Sequence, residues 1–292
     1  MWKGCLTALV TPFRGGEIDH VALERLVEAQ ITGGVHGLVP CGSTGESATL
    51  THDEHIALVK AVVRLAKGRL PVIAGTGSNS TAEAVRLTRA AEDAGAAGAL
   101  LISPYYNKPT QDGIYHHYLA VAETTKLPII VYNIPGRTGS NILPETIAHL
   151  SQVKNVVGVK EASGSMQQVI EIIATAAPDF AVWSGDDVMT LPIMAAGGAG
   201  VISVTSNVAP QRMADLASTL LAGDLASARG RMHELLPLVR ALTMQFEVNP
   251  IPVKTAIALM GYCAEEFRLP LTCMSTANRD QLERVLREYD VL

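Results

Sequence analysis

The chain has 292 residues, of which 48% are hydrophobic and 17% charged, and its formal net charge is −5. That profile excludes a disordered chain and predicts a globular protein, whose core must be aliphatic because aromatics make up only 4%. An acidic balance with no Lys/Arg run argues against nucleic acid as a partner.

The first apolar run, MWKGCLTALVTPF, is too short to span a bilayer and leads into no small-residue cleavage site. A cytoplasmic protein without a membrane partner is therefore expected. Short apolar runs then alternate with longer amphipathic segments. Strands are predicted at 6–11, 36–41, 70–76, 98–103, 128–133, 156–161, 181–186 and 200–205. Their unbroken aliphatic character fits strands covered on both faces, as in a parallel sheet. Helical spacing follows at 18–34, 51–68, 80–95, 143–152 and 166–177. Thr51 with Glu54, and Ser80 with Glu83, stand at capping-box spacing.

Eight strands in series, each leading into a helical segment, predict an α/β fold: a (β/α)8 TIM barrel, which occupies about 250 residues as one domain. An open doubly wound sheet fits less well, because TPFRGGEID after the first strand is no dinucleotide fingerprint. From about residue 225 only helical patterns remain, at 225–246, 252–263 and 278–292. The expected division is a catalytic barrel over 1–224 and a C-terminal helical region over 225–292.

In such a barrel chemistry gathers at the C-terminal ends of the strands. Those ends carry Thr11, Ser43 and Thr44, Thr76, Tyr105 and Tyr106, Tyr132 with Arg137, Lys160, Gly185 with Asp186, and Thr205. Lys160 closes the apolar strand VVGVK. A desolvated ammonium loses its proton more readily and becomes a nucleophile able to form an imine. The plainer alternative pairs it with Glu161 or Asp186. Lys3, Lys60, Lys67, Lys108, Lys126, Lys154 and Lys254 read as surface, loop or late-helix residues. Tyr132 can relay protons beside an imine, or only pack. Arg137, in the Pro-Gly loop YNIPGRTG, suits a carboxylate. Cys5, Cys41, Cys263 and Cys273 form no C-x-x-C pair, so free thiols are expected. His52 and His55 lack a third ligand, so no metal site is assigned. GSTGES is no phosphate loop, since the Gly-Lys-Ser/Thr ending is missing.

Over essentially its whole length the chain resembles the dihydrodipicolinate synthase family, pyruvate-dependent Schiff-base lyases that also include N-acetylneuraminate lyase. The motifs are CGSTGESATL, PVIAGTGSNST, SPYYNKPTQDG, YNIPGRTG, GVKEASG, SGDD, GVISVTSNVAP and NPIPVK. The resemblance implies condensation of pyruvate with aspartate semialdehyde on the way to lysine and diaminopimelate, with no organic cofactor and no catalytic metal. It implies that Lys160 forms the imine and that Tyr132, Ser43 and Tyr106 relay protons, Tyr106 reaching in from a neighbouring subunit. Thr44 and its turn amides would hold the pyruvate carboxylate. Arg137 would hold that of the aldehyde, while the backbone at Gly185 and Ile202 lines the pocket. It also implies a homotetramer made of two tight dimers. Lysine would inhibit at Ser47, Ala48, His52, His55, Asn79, Glu83 and Tyr105, unless these are ordinary helix-cap polar residues. Ser43 departs from the Thr usual in the family. A retro-aldolase for another 2-oxo acid, and a sensing barrel without turnover, remain as other readings.

Overall fold

The computed structural model describes residues 1–244 and 247–292. Eight parallel strands carry the sheet: β1 (Gly4–Ala8), β2 (Gly37–Val39), β3 (Ile73–Gly75), β4 (Gly98–Ile102), β5 (Ile129–Asn133), β6 (Val156–Glu161), β7 (Ala181–Ser184) and β8 (Gly200–Ser203). Neighbours pair in chain order, β8 pairs with β1, and a bridge between Leu38 and Val72 joins β2 to the approach of β3. The sheet thus closes on itself. Helices α1 (His20–Thr32), α2 (His52–Ala66), α3 (Thr81–Asp93), α4 (Gln111–Ala122), α5 (Pro144–Leu150), α6 (Met166–Thr175), α7 (Thr190–Ala195) and α8 (Pro210–Leu221) follow the eight strands in turn. This is a (β/α)8 TIM barrel.

The strands alternate between two apolar layers. Leu6, Ala8, Val39, Ile73, Leu100, Ile130, Tyr132, Trp183 and Ile202 form one buried cluster inside the barrel. Their neighbours along the same strands, including Leu38, Ala74, Leu101, Val131 and Val182, pack outward against the helices. Both faces are covered, which is why the strands read as unbroken aliphatic runs rather than alternating ones. The observed strands stop short of several predicted ends, at Val39 instead of 41, Ser184 instead of 186 and Ser203 instead of 205. At those positions the backbone has already turned: Cys41 stands at φ 57.

Local signals set the helix starts. Thr51 and Glu54 form a reciprocal capping box on α2. At α3 the box is only half made. Ser80 accepts from the Glu83 amide, but the Glu83 carboxylate goes to Ser78 and His52 instead. A small antiparallel hairpin pairs Phe13 with Ile18 around Gly15 and Gly16, which the sequence reading did not anticipate.

Beyond the barrel lie α9 (Leu225–Leu242), α10 (Ile251–Leu259) and α11 (Thr276–Glu288). The predicted helix over 225–246 ends at Leu242, and positions 245 and 246 lie outside the described residues. Among the described residues no helix is long and apolar enough to cross a membrane.

Asn207 ties the first and last strands together above the sheet. Its side chain donates to the carbonyls of Ala8 at 2.8 Å and Val204 at 2.9 Å, and accepts from the Val10 amide at 3.2 Å. The bonds to Ala8 and Val10 are buried, so truncation leaves unsatisfied backbone groups at the closure. Asn207→Ala is expected to lower unfolding free energy by about 2–4 kcal/mol in urea titrations, several times the effect of an exposed Asn→Ala change.

Candidate active site

Register decides which side chains meet. Ile102, Tyr132, Lys160 and Trp183 are successive pairing partners across β4, β5, β6 and β7. Side chains at matched register on one face of a sheet are neighbours. Lys160 therefore lies between a phenol and an indole. Its Nζ stands 4.3 Å from the centroid of the Tyr132 ring, and the residue is 6% exposed. Burial pushes its ammonium down to about 8; nearby Asp187 opposes the shift and Arg137 adds to it. Relative to the ordinary 10.5, this raises the free amine at pH 7 from roughly one molecule in three thousand to roughly one in ten.

Neither sequence-level partner for Lys160 takes it. The Glu161 carboxylate accepts from Ser163 N at 2.7 Å, Asn133 Nδ2 at 3.0 Å and Gln168 Nε2 at 3.1 Å. Asp186 caps the turn that follows it by accepting from Val188 N. Among the described residues no ion pair includes Lys160. A buried amine without a carboxylate at hydrogen-bond distance is the arrangement a Schiff-base nucleophile needs.

Tyr132 is equally enclosed. Burial pushes its phenol up to about 12, while Arg137 and the neighbouring Ser43 side chain pull the other way. The phenol thus keeps its proton and lies close to the lysine. Gly185 sits against both β6 and the lysine stem. A Cβ there would lie 2.7 Å from Ala162 Cβ and 3.1 Å from Lys160 Cε, so this position has room for hydrogen alone. Ile202 is buried in the same interior cluster as Tyr132.

Thr44 is 4% exposed, and its Oγ1 accepts from Asn249 Nδ2 at 3.0 Å. That leaves its hydroxyl hydrogen free to point at a bound anion. The backbone carbonyl of Asn249 in turn accepts from Arg137 Nη2 at 2.9 Å. One residue from the C-terminal region therefore touches both expected carboxylate holders. Sequence reading missed Asn249, which shows no signal beyond lying in NPIPVK. It also missed Asp187, the second acid of SGDD. Asp187 is 5% exposed, and its Oδ2 accepts from Val204 N, Thr205 N and Thr205 Oγ1. Burial pushes its carboxyl up.

A cavity of 390 Å³ opens beside these groups, lined by Ser43, Tyr132 and Arg137 and also by Ser47, Ala48, His52, His55, Glu83 and Tyr105. Lys160, Thr44, Gly185 and Ile202 are not on its wall; Lys160 neighbours it through Tyr132, and Thr44 through Asn249. Of the expected lysine-site set, Asn79 is the one that does not line the cavity; its carbonyl accepts from Asn107 Nδ2. His55 Nε2 bonds the Gly75 carbonyl at 2.7 Å, and burial holds its imidazole below the usual range. His52 meets Glu83, whose carboxyl is held below its usual range by Ser78 and His52. The two histidines therefore serve separate partners. Tyr106 is not part of this wall; it is 89% exposed and stands at φ 72.

A desolvated lysine at the end of the sixth barrel strand, with a phenol against it and Thr44 and Arg137 joined through Asn249, fits an aldolase-type site of the Schiff-base class. The description "Dihydrodipicolinate synthetase family" matches residues 1–289, and the chain belongs to that family. It is 53% identical over 292 residues to the 4-hydroxy-tetrahydrodipicolinate synthase of Syntrophus aciditrophicus (strain SB), covering 100% of both chains. It is similar to the chloride-inhibited dihydrodipicolinate synthase from Acinetobacter baumannii complexed with pyruvate, at 41% identity and TM-score 0.97 with 100% of both chains covered. It is also similar to the synthase from Cyanidioschyzon merolae with lysine bound, at 39% identity and TM-score 0.96, covering 100% of this chain and 99% of that one.

The charges around Lys160 make a signed prediction. Arg137→Gln removes a positive charge that helps deprotonate Lys160, so the ammonium should persist to higher pH. The midpoint for the initial rate of pyruvate-imine formation, followed by cyanoborohydride trapping, should move up by roughly half a unit to one unit.

Proposed function

We infer that this chain condenses pyruvate with L-aspartate 4-semialdehyde to give 4-hydroxy-tetrahydrodipicolinate, a lyase reaction of lysine and diaminopimelate biosynthesis. The observation that carries this reading is the full-length match to enzymes of that name, coinciding with a buried, carboxylate-free Lys160 in contact with Tyr132.

The geometry supports the following residue roles. The Lys160 amine attacks the pyruvate ketone, and water leaves as the imine forms. Protonated, the imine withdraws electrons and makes the methyl group acidic. Loss of a methyl proton gives an enamine, whose carbon bonds the aldehyde carbon while the aldehyde oxygen takes up a proton. Attack by the substrate's own amino group on the imine carbon then closes the ring and releases Lys160. Each step moves protons, and Tyr132 with Ser43 is assigned as the route for them. Thr44, with its turn amides, is assigned to the pyruvate carboxylate, and Arg137 to that of the aldehyde. Gly185 and Ile202 are assigned to the pocket's backbone lining.

Tyr106 is assigned to the relay of a neighbouring subunit, within a homotetramer built as a dimer of dimers. Its 89% exposure and left-handed backbone support that reading, since neither is expected of a tyrosine serving only its own fold. The division into a catalytic barrel over 1–224 and a helical region over 225–292, and a cytoplasmic location, belong to the same reading. Lysine is assigned as an inhibitor at Ser47, Ala48, His52, His55, Asn79, Glu83 and Tyr105. Six of these line the cavity, and the ionised Glu83 suits an ammonium.

Borohydride with pyruvate is expected to add one reduced pyruvate to Lys160 and none to Lys160→Ala. A reductase-coupled assay should then show turnover with aspartate semialdehyde. A retro-aldolase for another 2-oxo acid would trap pyruvate without that turnover, and a sensing barrel would do neither. Millimolar lysine should lower the rate. Glu83→Ala should remove that sensitivity while keeping most of the basal rate, and an unchanged rate in lysine would sink the inhibitor assignment.

A further inference from the structure

The helix α10 reads IPVKTAIAL, and Lys254 is its one charged residue. The surrounding positions Ile251 to Ile257 are all buried, and Lys254 itself is 0% exposed. An ammonium in such a place needs a partner. It has one 208 residues away along the chain: Nζ meets Glu46 Oε1 at 2.6 Å, with both side chains 0% exposed. The ammonium also lies 4.1 Å from the ring centroid of Phe13 and 5.1 Å from that of Phe267.

Glu46 belongs to the turn that carries Ser43 and Thr44. It stands at φ 54, ψ 36, a left-handed conformation that a side chain with a Cβ disfavours. Around it the turn is braced from within. Gly45 N donates to Gly42 O at 3.0 Å, Glu46 N to Ser43 O at 3.2 Å, and Thr11 Oγ1 to Gly45 O at 2.6 Å. A Cβ on Gly45 would come within 3.0 Å of the Leu9 carbonyl, so this glycine seats the turn on β1's exit. Among the described residues, the amides of Ser43 and Thr44 have no protein acceptor. Those two amides and the Thr44 hydroxyl are left for an anion.

A strained backbone and two desolvated charges converge on one residue beside a substrate cradle. Replacing a buried ion pair by apolar groups of similar volume is often neutral or stabilising, so stability alone gives weak grounds for this one. Strain of this kind is maintained where surrounding structure over-determines it, and it clusters at functional sites. The bond from Lys254 to the Glu46 carboxylate is a constraint of that kind. The backbone amide of Arg268 adds a longer contact to Glu46 Oε2 at 3.4 Å, and the Arg268 guanidinium bonds the Thr49 carbonyl at 3.0 Å.

We propose that the buried Lys254–Glu46 pair is a positioning device for pyruvate: it holds the 42–47 turn so that the Ser43 and Thr44 amides and the Thr44 hydroxyl face the substrate carboxylate. This rests on the pyruvate reading of the site. Lys254 is a positioning residue and takes no part in the chemistry; its amine is engaged by Glu46 and it does not line the cavity.

The test compares wild type, Glu46→Gln and the apolar double variant Glu46→Leu/Lys254→Met. Thermal unfolding is measured alongside KM for each substrate and kcat in the reductase-coupled assay. The double variant is expected to unfold within a few degrees of wild type. Its pyruvate KM should rise tenfold or more while the aldehyde KM stays within threefold, and kcat should fall by less than the pyruvate KM rises, since the same turn carries Ser43 of the relay. Glu46→Gln keeps the shape and a hydrogen-bond acceptor, and should raise pyruvate KM several-fold. A wild-type pyruvate KM in either folded variant overturns the proposal. So does a uniform loss of rate that tracks the folded fraction with both KM values unchanged. Borohydride trapping of pyruvate on wild-type Lys160 separates the two levels, because its failure would reject the pyruvate reading itself.

Discussion

Everything at the candidate site depends on one ammonium carried into an aliphatic barrel. Charged amines avoid such surroundings unless paired, and the structure gives Lys160 no carboxylate at bonding distance. Its proton is therefore weakly held, and a nucleophile is available near neutral pH. The barrel achieves this by register. β6 places Lys160 level with Tyr132 on one side and Trp183 on the other, so two large rings exclude water from the stem. Glu161, the next residue, faces outward and is occupied by Asn133, Ser163 and Gln168. The alternation of a β-strand thus separates an amine from the acid beside it in sequence.

Lys254 makes the opposite case in the same molecule. It is as deeply buried as Lys160, but Glu46 stands 2.6 Å away. One buried lysine has no carboxylate at bonding distance, and the other is paired with the turn that carries Ser43 and Thr44. Burial alone does not identify a nucleophile; the partner, or its absence, does.

The barrel was readable because its signals are local. Aliphatic runs bounded by Gly, Pro or polar residues marked the eight strands, and Thr51 with Glu54 marked the start of α2. Lys160, Tyr132 and Arg137 stood out because strand ends in a barrel converge on one rim. Contacts across long sequence separations left no comparable trace. Asn249 reaches Thr44 and Arg137, and Lys254 reaches Glu46, from a region that showed only helical spacing. A usable signal did exist for Lys254: a lone charge within an otherwise uncharged helix predicts a buried pair. The box at α3 is half made. Ser80 and Glu83 have the right spacing, but Ser78 and His52 compete for the carboxylate, and tertiary contacts decide.

The central claim is that desolvation in the barrel interior, without a bonded carboxylate, makes Lys160 nucleophilic. Titrating its side chain in the ligand-free protein tests this directly. The experiment would use lysine labelled with 13C and 15N at the ε position, with Lys160→Ala to assign the signal. A midpoint at about 8 is the result expected. A midpoint at the ordinary 10.5 would contradict the account, because Lys160 would then be a solvated or paired ammonium whatever its position in the fold.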